Sequence, residues 1–128
     1  MRFAARLAAG SSAGELVVLT IARPDPGHPS DGDGVRKRAE KILEGAARRM
    51  RGRRGRVEFR LVAARPTAPV PETISREADR LKADLVVVGS EGRDTLNEWV
   101  LGGTALRLVY VSRRPVAVVR PSRRRKTA

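Results

Sequence analysis

At 128 residues the chain has room for one domain of ordinary size around a single core. It carries 27 Lys and Arg against 14 Asp and Glu, a net charge of +13, and few aromatics, so the core has to come from Val, Leu, Ile and Ala. Without cysteine there is no disulfide frame, thiol nucleophile or zinc–thiolate site. No apolar run approaches the roughly 20 residues that cross a bilayer. The start, MRFAARLAAG, lacks the apolar stretch of a signal peptide, and a cytoplasmic chain fits these features.

Arg2–Ala9 places Phe3 and Leu7 four apart, the stripe of a short amphipathic helix, with Gly10 as its stop. Leu16–Ala22 is a first strand, apolar on both faces. A loop rich in Pro, Gly and Asp follows, and Asp31 or Asp33 can cap the next helix. That helix buries Val35, Ala39, Ile42, Leu43, Ala46 and Met50 and ends at Gly52. After a basic turn, Val57, Phe59, Leu61 and Ala63 alternate with Glu58 and Arg60, as in a half-exposed edge strand. Pro66–Pro71 is a rigid connector, with Pro71 in the first turn of a helix whose stripe is Ile74, Ala78 and Leu81. Leu85–Val88 is the third strand, Gly102-Gly103-Thr104 opens a helix to about Val111, and Val116–Arg120 is the last strand. Residues 121–128 form a basic tail expected to be disordered. Strict alternation of helix and strand argues an open parallel sheet with helices on both faces.

The richest stretch runs from Asp84 to Thr104. A strand leads into Gly89-Ser90-Glu91-Gly92, and Gly102-Gly103-Thr104 begins the following helix. Glycines there allow positive φ and close approach of a ligand, and free N–H groups with the helix dipole favour an anion. The spacing Gly89-x2-Gly92-x9-Gly102, followed by a helix and the strand Val116-Ala117-Val118-Val119, resembles the universal stress protein domain, whose motif is G-x2-G-x9-G-(S/T). The resemblance covers residues 1–120. It implies the adenine nucleotide alpha hydrolase-like fold, with four recognisable strands here. It also implies a non-catalytic regulatory role, with ATP or another adenine nucleotide laid on the glycine loop and magnesium arriving only with that nucleotide. By position, Ile21 and Val88 would line the adenine, and Gly89, Gly92, Gly102, Gly103 and Thr104 the phosphates. Binding would order the loop between them and alter a partner surface. In the family the last strand pairs across a two-fold axis, so Val116–Val119 is the expected homodimer edge.

Two departures from the family stand out. Gly103 occupies the Ser/Thr position, with Thr104 one place later, where it could supply a hydroxyl or simply cap its helix. The family's central strand, in the order 3-2-1-4-5, precedes the first helix and ends in an Asp that contacts adenine; nothing before Phe3 supplies it. The domain is therefore read as N-terminally truncated: its first strand lies upstream, belongs to a preceding domain, or has been lost from the fold. The strands from Leu16 and Leu85 are then expected to pair directly, because a gap leaves backbone groups unsatisfied at about 1–3 kcal/mol each when buried.

Other constellations read more plainly. Arg93 and Asp94 are a solvated loop pair, although Arg93 has the chemistry to hold phosphate, and Trp99 plugs a core or an interface. His28 lacks a partner nucleophile, and Asp31-Gly32-Asp33-Gly34 lacks the remaining ligands of a calcium loop. No G-x4-G-K-(S/T) or G-x-S-x-G occurs. Catalytic residues and metal ligands are thus expected to be absent. Arginines cluster at Arg48–Arg60 and again at Arg123–Lys126. They support an alternative reading, a basic domain that binds nucleic acid or another anionic surface electrostatically.

Overall fold

The computed structural model describes residues 2–10, 14–24, 27, 32–52, 55–90 and 102–120. Contacts group the chain into two compact units, Met1–Ala68 and Pro69–Ala128. The first holds α1 (Arg2–Gly10), β1 (Glu15–Ala22), α2 (Gly32–Arg49) and β2 (Arg56–Ala63). The second holds α3 (Val70–Arg80), β3 (Val86–Gly89), α4 (Gly103–Val111) and β4 (Val116–Val119). The alternation and the α/β class are those expected from the sequence. The expected tail, residues 121–128, lies outside the described residues.

All strand pairing is parallel. β1 pairs with β2 from Glu15 beside Arg56 to Ala22 beside Ala63, and β3 pairs with β4 from Val86 beside Val116 to Gly89 beside Val119. These are the pairs implied by the family's strand order. The direct pairing expected between the Leu16 and Leu85 strands is not made; each takes its one partner from its own unit. Each strand thus has one edge without a ladder among the described residues. The inner positions of all four strands are half-buried rather than fully enclosed.

In the first unit α1 lies on β1, and α2 covers both strands. A Cβ at Gly14 would fall on the Ala8 carbonyl, so only glycine fits where the chain entering β1 passes α1. The buried apolar side chains are Ala5, Ala22, Ala39, Ala46 and Met50. Phe3 and Leu7 were expected on the buried stripe of α1, and Ile42 on that of α2. They are instead 43%, 45% and 61% exposed. Small side chains let the backbones approach, and the helices turn their alanines inward. Asp33 sits in the first turn of α2 and suits the helix dipole there, whereas Asp31 lies outside the described residues. On β2, Arg60 donates to Glu58 at 2.7 Å, so the polar face of the strand satisfies itself.

The second unit is built on α3. Pro71 lies in its first turn, and Thr73 donates both its N–H and its hydroxyl to the Pro69 carbonyl, at 3.1 and 2.8 Å. At the other end, the Ala83 N–H reaches the Ala78 carbonyl at 2.9 Å and the Lys82 N–H reaches Asp79 at 3.1 Å. That is a Schellman ending, with Lys82 at φ 52 where glycine is usual. Arg114 then donates to the Asp79 carboxylate at 3.1 Å and to the Ala83 carbonyl at 3.4 Å, tying the start of β4 to this helix end. α4 packs on α3, and its buried side chains are Leu108 and Ala105, 0% and 2% exposed. Arg107 donates to Glu72 Oε1 at 2.8 Å across the two helices, while Glu72 Oε2 is buried and unpartnered among the described residues.

Two outcomes follow from these contacts. Lys82→Gly relieves the left-handed backbone and should raise stability by about 1 kcal/mol in urea unfolding, less what the unfolded chain gains in entropy. The Arg107 hydrogen bond, aided by its charge, holds the Glu72 pKa below its ordinary value of 4.5. The native carboxyl therefore binds its proton less readily than the unfolded one. The pair's contribution is complete above the ordinary carboxylate range and fades as pH falls through the depressed native value. Urea curves at neutral pH should show Glu72→Gln less stable than the parent, and this difference should disappear in acid.

Candidate functional site

The site builds outward from the end of β3. The ladder with β4 runs one residue past the strand, where the Ser90 N–H donates to the Val119 carbonyl at 2.9 Å. The Ser90 carbonyl then accepts the Gly102 N–H at 2.8 Å. One hydrogen bond thus joins the two residues that flank positions 91–101. α4 starts immediately afterwards, with Gly102 as its N-cap and the Leu106 N–H closing the first turn on the Gly102 carbonyl at 3.0 Å.

An α-helix leaves its first N–H groups without intrahelical acceptors. Here the N-cap N–H is taken by Ser90, and Gly102 has no side chain to cap the next ones. The N–H groups of Gly103, Thr104 and Ala105 have no acceptor among the described residues. Gly103 and Thr104 are exposed. A Cβ added at Gly89 or at Gly103 would meet nothing within 4 Å. The helix therefore points its positive end into open space beside the end of a strand, the arrangement that accepts an anion.

Of the residues singled out in the sequence, Val88, Gly89, Gly102, Gly103 and Thr104 come together at this junction. Ile21 belongs to the first unit, on β1 beside Val62. Gly92, Arg93, Asp94, Trp99, His28 and the cluster Arg123–Lys126 lie outside the described residues. Two expectations need correction. Gly89 does not use the positive φ anticipated for it, which among the described residues occurs in glycine only at Gly52 and Gly55. Thr104 is not a cap; it lies inside the first turn, behind the Gly102 cap. Ser90, whose carbonyl closes the loop, carried no signal in the sequence because its contribution is a backbone one. In the first unit, Arg48, Arg49, Arg51 and Arg56 are exposed.

Residues 1–120 match the universal stress protein family. No match was found among curated proteins. A member of that family from Burkholderia pseudomallei is 27% identical, with 92% of this chain and 82% of that chain covered and a TM-score of 0.67. A universal stress protein of Lactobacillus plantarum is 17% identical, with 93% and 86% covered and a TM-score of 0.71. A universal stress protein crystallised in complex with cAMP is 24% identical, with 93% and 85% covered and a TM-score of 0.60. The family match spans nearly the whole chain, and the parallel strand pairs and the strand–loop–helix junction agree with it: the chain belongs to the universal stress protein family.

Proposed function

We propose that this domain is a non-catalytic regulatory module of the cytoplasm that binds an adenine nucleotide by its phosphates. The observation that carries the reading is the junction at Ser90 and Gly102, which leaves three helix N–H groups without acceptors among the described residues. The open space at Gly89 and Gly103 gives a phosphate chain room to approach the backbone. One relative of the same fold is described in complex with cAMP, an adenine nucleotide. In this reading Gly89, Gly102, Gly103 and Thr104 hold phosphate, together with Gly92 from the loop. Val88, at the end of its strand, offers apolar surface to the base. Residues 88–90 and 102–104 include no carboxylate, so magnesium would arrive with the nucleotide rather than be held by these side chains. No helix of the described residues is long and apolar enough to cross a membrane.

The domain also has an edge suited to a second copy. The Pro115 and Val119 carbonyls accept from β3, at the Val86 and Ser90 N–H groups. Backbone groups alternate along a strand, so those of Val116 and Val118 face the other edge. Beside β4, α4 leaves Leu106, Val109 and Tyr110 exposed at 48%, 49% and 77%. An exposed apolar patch next to an unpaired strand edge favours association. We read the protein as a homodimer joined at Val116–Val119.

Calorimetric titration should show ATP and ADP binding more tightly than AMP, with adenosine weakest, because the contacts are to phosphate. Absence of heat at near-millimolar ATP would remove the nucleotide reading. Gly103→Ser adds a hydroxyl where a Cβ fits freely, and should tighten ATP about tenfold or more, as expected for a hydrogen bond to a charged group. Val118→Pro removes one edge N–H and leaves the β3 ladder intact. Light scattering should find the parent dimeric and this variant monomeric, with unchanged circular dichroism; a monomeric parent would rule out the edge.

A further inference from the structure

We propose a second binding site, in the first unit, for an amphipathic carboxylate of the medium-chain fatty-acid class. A cavity of about 370 Å³ lies among α1, the starts of β1 and β2, and the turn after α2. Its apolar lining includes Ala5, Leu16, Met50 and Val57, and two arginines, Arg6 and Arg56, also line it. Ala5 and Met50 are 6% and 7% exposed, whereas both arginines are exposed, so the buried part of the lining is apolar and its exposed part includes two cations. Gly52 and Gly55 also line it, at φ 76 and 100, where side chains are disfavoured.

The charge is available for a ligand. Neither Arg6 nor Arg56 forms an ion pair among the described residues, even though Glu15 is the register partner of Arg56. Exposed guanidinium groups hold a small anion weakly, because water and salt screen them. An apolar tail in the cavity supplies what they lack: each methylene buried is worth up to about fourfold in affinity. The volume lies near the lower end of the roughly 300–1,000 Å³ typical of small-molecule sites, which suits a short unbranched chain. Apolar buried lining with two exposed cations matches a molecule with one apolar body and one negative end.

Amide spectra of the full chain, recorded with octanoate, decanoate and dodecanoate, test this. Affinity should rise by up to about fourfold per methylene until the cavity is full, with shifts centred on Gly14, Gly52 and Gly55. Decanol should bind at least tenfold more weakly than decanoate, since it lacks the charge. The double variant Arg6→Gln, Arg56→Gln should lose about tenfold or more for decanoate and keep its affinity for decanol, which also shows that the cavity still forms. The proposal is overturned by any of four results: no saturable shift, equal affinity for decanol and decanoate, shifts centred elsewhere, or displacement of decanoate by inorganic phosphate at similar concentration. The last would mean that the arginines take any anion and the cavity contributes nothing.

Discussion

The candidate nucleotide site depends on the hydrogen bond from the Gly102 N–H to the Ser90 carbonyl, 2.8 Å long. It joins the two residues that flank positions 91–101 and sets the first turn of α4 beside the end of β3. It also uses up the N-cap N–H and so decides which amides remain: those of Gly103, Thr104 and Ala105. A side chain capping this helix would take one of them, and glycine at the cap position prevents that. Glycine at 102 and 103 therefore acts by offering no competing acceptor and no bulk, rather than by any unusual backbone angle.

What keeps α4 in place for this purpose is its packing on α3. Leu108 and Ala105 are its buried side chains, and the Arg107–Glu72 pair spans the outer side of the two helices. The other end of α3 is fixed as firmly, by its Schellman ending and by Arg114, which reaches both Asp79 and Ala83 from the start of β4. Because β4 is hydrogen-bonded to β3, the same arginine indirectly positions the strand whose end carries Ser90. A contact two elements away thus determines where the free amides point, through rigid pieces that each have one well-packed arrangement.

Much of this was legible in the sequence, and the limits are instructive. Runs such as Leu85–Val88 and Val116–Val119 have no polar interruption, so they read as strands in any context. The glycine spacing around Gly89 and Gly102 marked the junction because the backbone there must come close to something. Periodicity failed where the helices offered more apolar positions than one face needs. Phe3, Leu7 and Ile42 fitted the stripe and yet stand exposed, because alanines at Ala5, Ala39 and Ala46 allow closer approach than large side chains do. In α4 the run Ala105–Val111 is almost wholly apolar, and no pattern could say that Ala105 and Leu108 would be the buried pair. The Ser90–Gly102 bond was beyond reach for another reason: it joins backbone groups across a loop, and any residue could make it.

An interior of mostly alanine has an energetic consequence. Alanine buries little apolar area, so each buried position contributes less than a Leu or Val would. Strand edges without a ladder among the described residues add backbone groups that need another hydrogen-bond partner, such as water. A fold assembled this way draws a larger share of its stability from whatever binds it. A ligand at one hundred times its dissociation constant adds about 2.7 kcal/mol to the folded state, and a second chain at an open edge acts in the same sense. The same thin core that makes the unliganded chain less stable makes its response to a ligand large.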